Sequence, residues 1–344
     1  KPVNKYSTFI LRSGGNDWGN TIFRDVFIQS LISHLKVDRQ YARPVVVFLN
    51  GEYWGVHHIR DRFDEGYILN HYGLGENDFV QMEADLAVSQ QLVYDRGYEP
   101  LKADYYDLLK FLNEQRVVSS GNYEQVKNRI DVGNYIDYLS TEIYCGNTDW
   151  PGNNVKIWRS VSTNTAPDAP YGHDARWRWM IYDTDFGMGA DFTYVPGHSE
   201  FANYNSLAHA TALNGAHFSN KSNATLILRR MLENSEFRAE FVSRFSDHLN
   251  SAFRADRVIA HHQAMAAKLA PEMAEHARRW RQPVNWSNDL QRVRDYAALR
   301  TDAVWGHLQS YFNLGGRRTL HVNVSDANEG LVQVNSIEDR KSVV

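Results

Sequence analysis

The chain has 344 residues, of which 43% are hydrophobic and 23% are charged, and its formal net charge is −4. This composition is that of an ordinary globular protein, and the chain is long enough for one large domain or two lobes. The slightly negative net charge does not favour general binding to nucleic acid or to anionic membranes. The single cysteine, Cys145, excludes an internal disulfide and a cysteine-based zinc site, and no apolar run approaches the roughly 20 residues that span a bilayer.

The N-terminal third predicts a strand, a helix and a hairpin. Residues 8–13 predict a strand, and the turn residues 14–17 follow it. Apolar positions spaced by three and four predict a helix over residues 21–35. Asn50 and Gly51 separate two apolar runs, at 45–49 and 53–59, and this pair favours a tight two-residue hairpin turn. A further helix begins near Asp64, and a polar stretch of low periodicity follows to about residue 100.

The rest of the chain is mostly helical. In order, the sequence predicts helices 101–115 and 132–144, a loop 147–154, a strand 155–159, an exposed connector 160–174, a strand 177–182, a long irregular loop 187–223, a helical block 224–312, and terminal strands 319–324 and 331–334.

This order of elements points to an α+β fold. Strands and helices do not alternate as βαβ units, which argues against a doubly wound parallel sheet. We predict a small α+β N-terminal lobe at about residues 1–75 and a mostly helical C-terminal lobe at about 76–315. Residues 316–344 would then form a linker or the start of a further β-element.

Two polar clusters about thirty residues apart carry the chemistry. In the first, Asp149 is followed five positions later by Asn154; in the second, Asp183 and Asp185 end an apolar, aromatic run. Protein kinases place their base and metal ligands in this order, as an Asp and Asn on a loop and then an Asp-Phe-Gly. Carboxylate and amide oxygens suit Mg²⁺. If Asp183 and Asp185 lie on an extended strand, both point to one side, and either can hold the metal.

Other interpretations of these clusters remain open at this stage. Asp149 and the Trp-Pro-Gly that follows it could be an ordinary turn. The Asp183-Thr-Asp185 triplet also resembles the nucleophile pair of haloacid-dehalogenase-like phosphatases. In that fold the pair follows an early strand of a parallel sheet, whereas about 180 residues precede it in this chain.

The chain resembles the CotH-type kinases, a family named after a spore-coat protein. The matching stretches are Leu-Asn-Gly-Glu-Tyr-Trp-Gly-Val at 49–56, Ile-Arg-Asp-Arg-Phe-Asp at 59–64, Thr-Asp-Trp at 148–150 with Asn154, and Tyr-Asp-Thr-Asp at 182–185. Residues 12, 15–17, 24 and 25 match the opening segment of the family, and the resemblance covers about residues 5–312.

The resemblance implies a divergent protein-kinase-like fold with two lobes. It implies use of ATP with Mg²⁺, or else Mn²⁺ or Ca²⁺, to phosphorylate Ser or Thr of a protein partner. It also implies a secreted or surface-associated bacterial protein, whose export signal we expect to lie outside this sequence. In this family Asp149 would be the catalytic base, while Asn154 and either Asp183 or Asp185 would bind the metal.

The residues expected to hold the phosphate groups of ATP differ from the family pattern. Family members usually carry an upstream strand pair with a Lys-Lys-Ser stretch that holds phosphate, and nothing before Arg12 supplies one. Arg12 and the helix acid Asp25 could be a partial substitute, or else part of an ordinary salt bridge. Arg60 and Asp61 complete the predicted nucleotide-binding set, with Asp61 where the family often has Glu. The rival function is an inactive, pseudokinase-like surface-binding module.

Overall fold

A computed structural model of the chain describes residues 6–85, 91–164, 166, 168–196, 198–320, 332–335 and 337–339. The strands are β1 Ile10–Arg12, β2 Ala42–Leu49, β3 Glu52–Arg60, β4 Phe79–Asp85, β5 Gln91–Gly97, β6 Lys156–Ser160, β7 Arg178–Met180, β8 Val332–Val334 and β9 Ile337–Asp339. The α-helices are α1 Arg24–Leu31, α2 Glu65–Tyr72, α3 Lys102–Glu114, α4 Ser120–Lys127, α5 Val132–Cys145, α6 Glu200–Asn203, α7 Ser206–Thr211, α8 Leu226–Met231, α9 Ser235–Asn250, α10 Ala255–Trp280 and α11 Trp286–Phe312.

The first sheet is antiparallel in the order β1-β3-β2. The predicted hairpin is confirmed: Leu49 pairs with Glu52, and Asn50 and Gly51 adopt φ values of 51° and 84°. Helix α1 begins three residues later than predicted. Ile22 has a φ of 73°, a left-handed conformation that cannot continue a helix.

The second sheet is antiparallel in the order β5-β4-β6-β7. The sequence interpretation was wrong here in two ways: it treated the segment before residue 100 as lacking strands, and it expected β6 and β7 to form an isolated pair. Strand β4 pairs with both β5 and β6, so it connects the missed hairpin to the strands that flank the two polar clusters. The sheet thereby fixes the ends of both loops that carry the candidate site.

The helical C-terminal region packs back onto the first sheet. Helix α10 lies against β3, where the backbone N–H of Val56 donates to His276 Nδ1 at 3.0 Å. The indole N–H of Trp280 donates to the carbonyl oxygen of Trp54 at 2.5 Å. The loop predicted to be irregular after residue 187 contains two short helices, α6 and α7. Among the described residues, no helix is long and apolar enough to cross a bilayer.

The terminal strands are only partly as predicted. The predicted strand at 331–334 corresponds to β8, but β8 pairs with β9. Residues 319 and 320 are not in a strand, and the rest of the other predicted strand lies outside the described residues. The fold as a whole is mixed, with small antiparallel sheets and a helical C-terminal region, as the predicted α+β class requires.

Candidate active site

The first polar cluster lies on the loop that follows helix α5. Gly146 ends the helix in a left-handed conformation, and the side chain of Asn147 then accepts a hydrogen bond from the backbone N–H of Asp149 at 3.1 Å. Asp149 Oδ2 accepts hydrogen bonds from the side-chain amides of Asn153 and Asn154, each at 2.8 Å. Asp149 Oδ1 is buried and has no hydrogen-bond partner among the described residues. Two amide groups therefore hold one carboxylate oxygen, whereas the other oxygen receives no hydrogen bond from this part of the chain.

The second cluster follows strand β7 but is not extended. The strand ends at Met180, and Asp183 has a φ of 51°, so the expectation that both aspartates lie on one strand face was wrong. A long-range contact brings the two carboxylates together instead. Arg12 Nη2 donates to Asp183 Oδ1 at 2.5 Å and to Asp185 Oδ2 at 2.8 Å.

Asn154 connects the two clusters. Its Nδ2 donates to Asp149 Oδ2 and, at 3.3 Å, to the carbonyl oxygen of Asp183. Five of the seven residues predicted from the sequence to form the site are therefore linked by direct contacts: Arg12, Asp149, Asn154, Asp183 and Asp185.

Asp183 and Asp185 differ in what surrounds them. The Asp185 side chain is 1% exposed and accepts hydrogen bonds from the backbone and side-chain nitrogens of Asn16 as well as from Arg12. The Asp183 side chain is 24% exposed, and its Oδ2 has no donor among the described residues. Burial raises the pKa of Asp183 to about 6, although Arg12 acts in the opposite direction. Asp185 is thus an anchor for Arg12, whereas Asp183 can still accept a ligand.

Gly15 lies in the turn that covers the Arg12–Asp185 contact. Its φ is +63°, and a Cβ placed on it would lie 2.3 Å from Asp185 Oδ2 and 2.4 Å from Arg12 Nη2. Both distances are far below van der Waals contact, so a side chain here would displace the pair.

We expect Gly15→Ala to destabilise the protein by about 1–3 kcal/mol, because it adds a clash to left-handed backbone strain. The matched control is Gly73→Ala, since Gly73 has a similar φ of +75° with no atom within 4 Å of an added Cβ. Urea denaturation gives the free energy of unfolding of both variants. Equal losses would show that the Arg12–Asp185 contact does not constrain this turn.

The helix acid Asp25 pairs with a different arginine from the one predicted. Arg60 Nη1 lies 2.5 Å from Asp25 Oδ2, and both side chains are almost fully buried. The backbone N–H and hydroxyl of Thr184 donate to Asp25 Oδ1. Burial alone would raise the pKa of Asp25, but the guanidinium groups of Arg60 and Arg12 outweigh it and hold that pKa below its ordinary value. Arg12 itself bonds to the second polar cluster.

Asp61 is not in contact with the cluster. Its Oδ2 accepts a hydrogen bond from the backbone N–H of Tyr41 at 3.2 Å and lies 4.0 Å from His71 Nε2. Neighbouring residues of an extended chain point in opposite directions, which separates the side chain of Asp61 from that of Arg60. The structure thus gives Asp61 neighbours other than the predicted nucleotide-binding residues.

The segment after the second cluster supports the loop of the first. Ser219 Oγ donates to the carbonyl oxygens of Thr148 and Trp150, each at 3.0 Å. His209 Nε2 lies 2.8 Å from the carbonyl oxygen of Trp150. These contacts hold the backbone on both sides of Asp149.

The sequence interpretation missed the carboxyl group beneath this loop. Glu142 is fully buried in α5, where its Oε2 accepts a hydrogen bond from Asn147 Nδ2 at 3.0 Å. A signal was present: Glu142 is a charged residue next to Ile143 and Tyr144, in a helix buried along almost its whole length.

The donor set suits a hard cation only in part. Among the described residues, no group of three or more His, Cys, Asp or Glu side chains has metal-binding geometry. Mg²⁺ ordinarily takes one or two protein oxygens, with phosphate and water completing its shell. Asp183 Oδ2 and the side-chain oxygen of Asn154 have no hydrogen-bond partner within the described part of the chain, and they are oxygens of this kind. The residues therefore supply at most two oxygen ligands, and phosphate and water would have to supply the others.

The model of a family described as CotH kinase protein matches residues 2–304. No curated protein matches the chain significantly.

Proposed function

The chain belongs to the CotH kinase family, and on that basis we propose that it is an atypical kinase that transfers phosphate from ATP to Ser or Thr of a protein substrate. The proposed fold is kinase-like, with an N-terminal lobe at about residues 1–75 and a C-terminal lobe at about 76–315. Family membership supports kinase chemistry in general; the nucleotide, the metal and the acceptor are part of the proposal.

The contact chain from Asp149 through Asn154 to Asp183 is the observation that carries this proposal. Phosphoryl transfer requires a carboxylate that orients the acceptor hydroxyl beside the group that holds the metal. Asp149 Oδ1 has no hydrogen-bond partner among the described residues, and we propose that it accepts the hydroxyl proton once the acceptor substrate reaches it. Burial raises the pKa of Asp149, and hydrogen bonds from Asn153 and Asn154 offset part of that rise. Asp149 is our candidate for the base.

Asp183 and Asn154 are the proposed cation ligands. When bound, Mg²⁺ would neutralise charge on the transferred phosphate, and Mn²⁺ or Ca²⁺ are alternatives. Of the two aspartates that the sequence left open, Asp183 is favoured, because Asp185 is buried and already accepts hydrogen bonds from Arg12 and from both nitrogens of Asn16.

The basic side of the proposed nucleotide site consists of Arg12 and Arg60. In protein kinases a strand Lys pairs with a Glu of the next helix and contacts the phosphates. The strand residue Arg60 and the helix residue Asp25 form a pair of the same kind. Arg12, anchored on Asp185, is our candidate for direct phosphate contact.

The proposed setting is a bacterial protein that is secreted or attached to the cell surface, with an unidentified protein as substrate. A surface-binding module without catalytic activity is the alternative. One observation favours it: Arg12 already forms ion pairs with both Asp183 and Asp185, the residues that would otherwise face the cation. Calorimetric titration with ATP and Mg²⁺ or Mn²⁺ separates the two proposals, because a chain that binds no nucleotide cannot be the kinase.

We expect Asp183→Asn to weaken Mn²⁺-dependent ATP binding by roughly 10- to 100-fold or more, as loss of a metal-site partner does. The same change at Asp185 should mainly lower the melting temperature, because Asp185 is buried among donors. Calorimetry and thermal unfolding measure the two effects.

The exposed Asp168, in the connector after β6, provides the control. Asp168→Asn should alter neither quantity. If Asp185→Asn abolishes metal-dependent binding in a folded protein while Asp183→Asn does not, the assignment of the two aspartates is reversed.

A further inference from the structure

Glu142 is connected to the candidate base by two hydrogen bonds. Its Oε2 accepts from Asn147 Nδ2 at 3.0 Å, and Asn147 Oδ1 accepts from the backbone N–H of Asp149 at 3.1 Å. Glu142 and Asn147 are 0% and 1% exposed. Water therefore does not compete for these bonds, which connect the Glu142 carboxyl group to the Asp149 backbone.

Three buried oxygens around this connection have no partner among the described residues. They are Glu142 Oε1, Thr148 Oγ1 and Asp149 Oδ1. A buried carboxylate with an unpaired oxygen costs more free energy than an uncharged carboxyl group in the same place. The geometry favours the neutral form of Glu142.

The titratable groups around Glu142 act in the same direction. The carboxylates of Asp25 on α1, of Asp149 on the loop after α5 and of Asp183 beyond β7 interact with it electrostatically, and Cys145 Sγ lies 3.9 Å from Glu142 Oε2. Burial raises the pKa of Glu142 to about 8, the three carboxylates add to the rise, and the bond from Asn147 opposes it.

We propose that Glu142 is a positioning residue for Asp149, holding the loop through Asn147 while uncharged and disturbing it once ionised. This inference goes beyond the proposed kinase function and depends on it only for its activity measurement. Ionisation would place a negative charge beneath Asp149 and raise the free energy of the ionised base.

The test compares Glu142→Gln, which fixes the neutral state, with Glu142→Ala, which removes the bond to Asn147. In the wild type, phosphate transfer should decline above about pH 8, and Glu142→Gln should abolish this decline. Glu142→Ala should lower kcat at least tenfold with little change in KM for ATP. Glu76→Gln, an exposed site, should follow the wild-type pH profile. A wild-type decline that persists in Glu142→Gln would overturn the proposal.

Two further measurements do not require activity. The ¹³C carboxyl signal of Asp149, assigned with Asp149→Asn, should shift near pH 8 in the wild type and not in Glu142→Gln. The pKa of Glu142 is higher in the folded protein than in the unfolded chain, so the folded state loses stability as the pH rises between these two values. Relative to Glu142→Gln, the unfolding equilibrium constant of the wild type should therefore rise by up to tenfold per pH unit from about pH 4.5 to 8 and then level off. The absence of both effects refutes the role of Glu142 even if transfer is observed. If both effects are present in a chain that binds no nucleotide, only the kinase function fails.

Discussion

Asp149→Asn should lower the rate of phosphate transfer by roughly 10²–10⁴-fold, the usual contribution of a positioned general base. The Asn carbonyl oxygen can still accept the bonds from Asn153 and Asn154, so the loop keeps its shape and only the proton acceptor is lost. Single-turnover transfer from labelled ATP measures the rate, and calorimetry should show ATP affinity within about threefold of wild type.

The pH dependence gives a second readout of the same assignment. The base acts when ionised, and its pKa is raised, so wild-type transfer should fall as the pH drops through a value above the ordinary Asp pKa of about 3.9. Asp107→Asn, on the exposed face of α3, serves as the control and should not change the rate. If Asp149→Asn retains most of the transfer rate, the base has been assigned to the wrong residue.

Arg60→Met should cost about 3–5 kcal/mol of stability, because it leaves the Asp25 carboxylate buried without its partner. Adding Asp25→Asn to this variant should recover part of the loss, since it removes the uncompensated charge. Urea unfolding measures the free energy, and Arg62→Met, at an exposed neighbouring position, should change it by less than about 0.5 kcal/mol. A loss below 1 kcal/mol in Arg60→Met would show that Asp25 finds another counter-charge.

The lowered pKa of Asp25 makes the stability of the folded protein depend on pH. A carboxyl group whose folded pKa lies below its unfolded value adds stability above the unfolded pKa and loses it as the pH falls through the folded pKa. Arg60→Met removes the largest favourable charge, so its acid-side loss of stability should be smaller than that of the wild type. A steeper acid limb in the variant would contradict this account.

The parts of the fold that local chemistry determines were predictable. The hairpin at Asn50 and Gly51 follows from two residues that tolerate positive φ, and helix α5 follows from its periodicity. Strands β4 and β5 form a hairpin that was missed because a register shift between Gln81 and Met82 interrupts its regular alternation. The pairing of β4 with β6 joins residues more than seventy positions apart. Nothing in a local window encodes such pairing.

The candidate site shows the same division. The five-residue spacing of Asp149 and Asn154 indicated one loop, and the two side chains are in contact. The bridge from Arg12 to Asp183 spans 171 residues and depends on a left-handed backbone at Asp183, which its sequence does not announce. The roles of Asp149 as the base and of Asn154 and Asp183 as cation ligands are predictions that the variants test.

The contact of α10 with β3 has a consequence for synthesis. His276 bonds to Val56 from 220 residues further along the chain, and Trp280 bonds to Trp54 from 226 residues away. At translation rates of about 5–20 residues per second, on the order of 10–40 s separate the appearance of β3 from that of its covering helix. During this interval the first sheet lacks one of its packing surfaces on the ribosome, and it becomes complete only after most of the protein has been made.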